Sequence, residues 1–208
     1  MKTKFFLMIS LLSLTLHVVG TTDGYKDSLM VVACRLDTAW NIGSLEECAV
    51  ELKGFASANP AEWMPVYYAA LCNIHIAYVC QSGKEAYFNE ARKHIDALKD
   101  FPAADASEVA TLQAYFYAAL TAAYPQTNGR KYYASVISLY DQAMELNPDN
   151  PRPICFKSHF SQYLPESLRS DEQIAEGRRK AAELFSREQP SPDKPFWGAF
   201  YLNNFKQQ

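Results

Sequence analysis

Cys72 and His75 stand three residues apart, one helical turn, and come nearest in this chain to a pair of metal ligands. A thiolate and an imidazole at that spacing project from the same helix face. A structural zinc needs four converging ligands. No Asp or Glu lies within a turn of His75 to orient its ring. The pair therefore predicts no metal site, and Cys72 reads as a small buried residue. Of the other histidines, His94 follows Glu90 by four residues, the spacing of an exposed helical pair. The adjacent carboxylates Glu46-Glu47 and Asp171-Glu172 fall in first turns, where negative charge favours the helix dipole. They need no acid–base role to explain them. The G-x-S-x-G elbow, H-E-x-x-H, phosphate loop, dinucleotide glycines and CxxC pair are all absent. Asn147-Pro148-Asp149-Asn150 lacks the glycine and closing glutamate of a calcium loop, and its residues are turn formers. The expectation is a protein with no catalytic residue, no metal and no cofactor.

Charge and compartment narrow the partners. The net charge is -3, without the excess of positive charge that nucleic acid calls for. Lys2 and Lys4 precede an apolar stretch, Phe5 to Val19, that ends in Val18-Val19-Gly20. That pattern predicts a signal peptide over residues 1–20 and a mature domain over 21–208. Interrupted by Ser10, Ser13, Thr15 and His17, the stretch is short for a membrane span of about 20 residues. The mature chain is thus expected in the periplasm or outside the cell, with no stable membrane insertion. Five cysteines are an odd count, and Cys34–Cys48 is the one pair whose bridging export would permit.

The elements that must position any site are helical. Leu29, Val32, Ala33, Leu36 and Trp40 follow three-and-four spacing, as do Leu45, Cys48, Leu52 and Phe55. Ser44 and Glu47 read as a capping box. A long helix is predicted over about 62–81, and another carries Tyr87, Ala91, Ile95 and Leu98. Asp105 or Ser107 caps the next, which Pro125 and Asn128-Gly129 are expected to end. Tyr133, Val136, Ile137, Tyr140 and Met144 form a further stripe. Helices then read at about 153–164 and 171–188, with a short one near 196–206. No strand run is present in the sequence pattern. Prolines 60, 102, 148 and 190 close every second helix, at intervals of 42, 46 and 42 residues. Recurrent stops of this kind suit stacked helical hairpins.

Ala143-Met144-Glu145-Leu146-Asn147-Pro148-Asp149-Asn150-Pro151-Arg152 resembles the close of the second helix and the junction of a tetratricopeptide repeat (TPR). These units run longer than the family's ~34 residues. The extra length falls in turns, notably Pro125 to Arg130, and Ala70 or Leu71 replaces the family's glycine. The chain is similar to small exported bacterial TPR-type proteins of unassigned function, whose Pro-rich ending before Trp-Gly is matched by Pro190 to Gly198. The resemblance implies an all-α, TPR-like solenoid of four hairpins plus a C-terminal capping helix, with a concave groove. With Leu29, Tyr67, Phe116 and Phe156 taken as equivalent, groove positions fall on Met30, Cys34 and Asp37, and then on Tyr68, Cys72 and His75. The third hairpin supplies Tyr117, Thr121 and Tyr124, and the fourth Lys157, Ser161 and Leu164. Tyr68, His75, Tyr117, Thr121, Tyr124 and Lys157 are the candidate ligand-binding residues. Tyr-rich surfaces give area at low entropic cost, which suits a protein or peptide partner. The alternative is a small molecule or glycan in the same groove. A C-terminal element folded over these residues would also account for their aromatic character.

Overall fold

The computed structural model describes residues 22–204, so the expected signal segment lies outside the described residues. Four antiparallel pairs follow one another: α1 (Thr22–Thr38) with α2 (Ile42–Ala58), α3 (Trp63–Val79) with α4 (Lys84–Ala97), α5 (Ala106–Ala123) with α6 (Pro125–Leu146), and α7 (Pro151–Ser161) with α8 (Asp171–Arg187). A short α9 (Ala199–Asn204) closes the described chain, and no strand occurs among the described residues. Each helix packs on the next. The first helices of successive pairs also pack on one another, α1 on α3, α3 on α5 and α5 on α7. That second set of contacts makes an inner layer, and it is why α3 and α5 are apolar nearly all round. None of the described helices is long and apolar enough to cross a membrane.

Local signals set the helix starts. Asn41 caps α2 by accepting from the Ser44 N–H at 2.9 Å, so Ser44 lies inside the helix rather than opening a capping box. Asp105 accepts from the N–H groups of Ser107 and Glu108, and Asn150 from that of Arg152 at 3.0 Å. Each such cap contributes about 1 kcal/mol.

The junction at Pro125 departs from expectation. Proline at the first helical position loses nothing by lacking an N–H. Here it starts α6 one residue after α5, and the helix runs straight through Asn128 and Gly129 for 22 residues. The Asn128 side chain donates to the Leu120 carbonyl at 3.1 Å, which ties the new helix to the old. The extra length of this repeat is therefore helix, not turn.

After α8 the chain crosses back over the inner layer. Trp197, 1% exposed, stacks on Phe156 at 5.1 Å and donates from Nε1 to the Tyr67 hydroxyl at 2.8 Å. The N–H of Gly198 donates to Asp37 Oδ1 at 2.7 Å. Gly198 has φ 97, and a Cβ there would meet the Phe156 ring at 3.2 Å, so only glycine fits. Beneath this strap lies a buried polar cluster. Arg152, 2% exposed, donates to Glu108 at 3.1 Å and to the Pro195 carbonyl at 2.5 Å, and pairs with Glu188 at 2.9 Å. Glu108 also accepts from the Tyr67 hydroxyl and from Asn150. Buried charge persists only when so paired.

All five cysteines are free thiols, so Cys34 and Cys48 are not bridged. Cys48 Sγ instead accepts from Arg35 Nε at 3.2 Å.

Candidate functional site

The six groove candidates do not come together. Tyr68 is 1% exposed, and its hydroxyl accepts from the Phe196 N–H at 2.9 Å. His75 is fully buried; its Nε2 lies 3.2 Å from the Tyr201 hydroxyl, and its ring stacks on Trp40 at 5.5 Å. Burial pulls the His75 pKa down to about 4, which keeps the ring neutral. The C-terminal strap occupies the stretch of concave surface where an external ligand would meet these two residues. Tyr117 stacks on Tyr132 at 4.9 Å, near the Arg92 guanidinium. Tyr124 donates its hydroxyl to Glu85, and Lys157 pairs with Asp141. Thr121 is the one of the six that lines the largest of the described cavities.

That cavity, about 890 Å³, opens between α5, α6, α7 and the segment following α7. Its volume is in the ~300–1,000 Å³ range of small-molecule sites. Helix α5 contributes Tyr115, Ala118, Thr121 and Ala122, and α6 contributes Gly129, Arg130, Tyr133 and Tyr140. Helix α7 and its continuation add Phe156, His159, Phe160, Tyr163 and Leu168, while Tyr78 enters from α3. Ala118, Ala122 and Gly129 line it together with the rings, and their small size leaves room. Tyr78, Tyr163 and Leu168 are exposed apolar side chains at this one place. The unbroken α6 carries the wall, since Gly129, Arg130, Tyr133 and Tyr140 would not share a face if the helix stopped at Asn128.

The polar groups are few. The Tyr140 side chain is fully buried, and its hydroxyl has no hydrogen-bond partner, nor does Thr121 Oγ1. His159 Nδ1 lies 2.9 Å from the Gln162 amide nitrogen, and its ring meets Tyr163 edge-on at 5.2 Å. Burial first, and then the positive charge of Arg178, lower the His159 pKa to about 4. The imidazole is neutral and a weak base at neutral pH. Burial also raises the phenols of Tyr115 and Tyr140 well above their usual range, so both stay protonated. These groups can hold a molecule, but they form no activated nucleophile or base.

No family model and no curated protein matches the chain. Among solved structures, it is similar to the HusA haemophore from Porphyromonas gingivalis, with a TM-score of 0.77 and 22% sequence identity. The likeness covers 91% of this chain and 97% of that one. At this identity what the two share is the fold.

Local sequence signals hide this cavity. Tyr133 and Tyr140, seven apart, lie on a stripe that periodicity assigns to packing core, and Asn128-Gly129 signals a break. Periodicity does not reveal the buried partners Glu108 and Arg152 either. An arginine in the second position of a helix whose neighbours are Pro151, Pro153 and Ile154 was the available signal.

Proposed function

We propose that this chain is an exported, non-catalytic carrier that holds a flat, largely apolar small molecule of the tetrapyrrole class, haem foremost, in the α5–α6–α7 cavity. The observation that carries the reading is the cavity: about 890 Å³, walled by rings and small residues, on a fold shared with a haemophore. Tyr and Phe faces suit a planar macrocycle, because offset ring stacking adds to the area buried. The neutral His159 and the phenols offer oxygen and nitrogen atoms to a central metal without charging the site. In this reading haem is cargo, and the protein needs no resident cofactor. The repeat pairs are read as divergent TPR-type hairpins. A peptide in the concave groove is the weaker reading, since the chain's own residues 195–202 already pack there.

Haemin titrated into the mature protein, followed by its Soret band and by tryptophan quenching, should give a saturable, stoichiometric complex. Ala122 is exposed on the cavity wall, so Ala122→Trp fills the space without overpacking the core, and it should abolish binding at unchanged melting temperature. A wild type that shows no saturable Soret change, or an Ala122→Trp variant that binds normally, refutes the assignment. Export is checked by the N-terminus of the native protein, expected near Thr21; intact Met1 refutes it.

A further inference from the structure

We infer that the occupant of this cavity carries an anionic group, and that Arg130, at the start of α6, is the residue that receives it. The inference rests on reading the cavity as a small-molecule site and adds the chemistry of one end of the ligand. The chain holds 23 acidic residues against 20 Lys and Arg, yet no carboxylate lines this cavity. The one formal charge on its wall is the Arg130 guanidinium, which is exposed and has no ion-pair partner among the described residues. An acidic protein that keeps every carboxylate off one wall, and leaves a lone unpaired arginine there, has a site biased toward anions.

The helix that carries Arg130 adds to the bias. Helix α6 opens at the cavity with Pro125 and Gln126 on its wall. It has no side-chain cap from Tyr124 and no acid in its first turn. Its positive end is thus left unneutralised within two turns of the guanidinium. At the other extreme of polarity, the Tyr140 hydroxyl is buried and unpartnered on the same helix. A buried phenol without a partner is costly, so a ligand atom that reached it would relieve that cost. The site therefore fits an amphiphile with a planar apolar body among the rings and a carboxylate, or a like anion, at the α6 end. Guanidinium and carboxylate match in two parallel hydrogen bonds, which sets the orientation of the body as well as adding affinity. For a tetrapyrrole, the edge bearing its acid side chains would lie toward Arg130.

Two matched pairs of probes test this on the mature protein. The first pair is haemin and its dimethyl ester. The second is 1-anilinonaphthalene-8-sulfonate and the uncharged N-phenyl-1-naphthylamine, which share an aromatic body. The anionic member of each pair should bind about tenfold more tightly. Arg130→Gln should erase that preference by weakening the anion alone, and Arg130→Glu should invert it. The melting temperature should be unchanged in both variants, because Arg130 is exposed and unpaired. Equal affinity within both pairs, or a preference that survives in Arg130→Gln, overturns the inference. An Arg130-dependent preference for the sulfonate without any haemin binding upholds the anion site and refutes the tetrapyrrole reading. Haemin and its ester binding equally well do the reverse. Failure of all four probes overturns both.

Discussion

Trp197 is the residue on which the C-terminal strap stands, and replacing it should test the whole arrangement. Its indole is almost fully buried, stacked on Phe156 and tilted against Tyr115 at 5.4 Å. Its Nε1 donates to Tyr67, whose own hydroxyl donates to Glu108 at 2.7 Å. Truncating a buried tryptophan to alanine costs about 3–5 kcal/mol, through lost transfer energy and the cavity left behind. For a chain of this size each kcal/mol lowers the melting temperature by about 2–4 °C, so Trp197→Ala should melt roughly 6–20 °C below the parent. Trp197→Phe keeps a six-membered ring but removes the N–H donor and part of the buried indole, and should cost less than the alanine change, about 1–3 kcal/mol. Circular dichroism melts measure both. Limited proteolysis adds an independent reading, with cleavage between 188 and 198 expected to rise in the alanine variant. If Trp197→Ala melts within about 2 °C of the parent and resists protease equally, the strap is not an integral part of the core and its sealing of Tyr68 and His75 is wrong.

Leu71 is fully buried whereas Tyr117 is partly exposed, so Leu71→Ala should cost about 2–5 kcal/mol and Tyr117→Ala clearly less, as thermal melts will show. Tyr140→Phe removes a buried hydroxyl that has no partner, so the ligand-free protein should be as stable or slightly more stable; a loss above about 1 kcal/mol would mean that the hydroxyl is satisfied after all. His75 and His159 have pKa values near 4 when folded and near 6.5 when unfolded, so protons bind preferentially to the unfolded chain. Their contribution is complete above about pH 6.5 and drains as pH falls toward 4. Burial raises the carboxyl of Asp37, which acts in the opposite sense, so the pH slope of His75→Gln against the parent isolates the histidine. That slope should be shallower by up to about 1.4 kcal/mol per pH unit, and equal slopes refute a buried neutral His75.

How far the sequence could be read follows from the range of each signal. Helix existence is a local property, and the stripes led by Leu29, Leu45 and Tyr87 place their helices with most of their residues inward, although Trp40 falls beyond the end of α1 and is exposed. The prolines that punctuate the repeat also mark real boundaries, because a missing N–H acts wherever the chain goes. Pro125 shows the limit of that argument. Proline forbids a helix interior but favours a helix start, and which applies depends on whether the residues after it find a partner. Asn128 finds one in α5, where its amide meets the Leu120 carbonyl. The cavity was illegible for the same reason. It is made by helices from three different hairpins and by what three small residues leave empty. Burial of Tyr68 and His75 likewise depends on residues more than a hundred positions away.

The strap and the cavity are two sides of one aromatic layer. Tyr115 touches Tyr201 and Trp197 on its strap side, and Phe156 stacks on Trp197 and meets Tyr201 edge-on at 5.0 Å. Both rings also line the cavity. A ring held between neighbours on one side presents a fixed face on the other, so the strap's burial determines how rigid the cavity wall is. This gives the C-terminal segment a role beyond capping the last hairpin. An open inner groove would leave Tyr115 and Phe156 without backing and expose Tyr67, Tyr68 and His75 to water. Covering that groove from within the chain leaves the ring-walled cavity on the other side of Tyr115 and Phe156 as the open space. Preorganised walls lower the ordering cost of binding, which suits the rigid planar ligand proposed for this cavity.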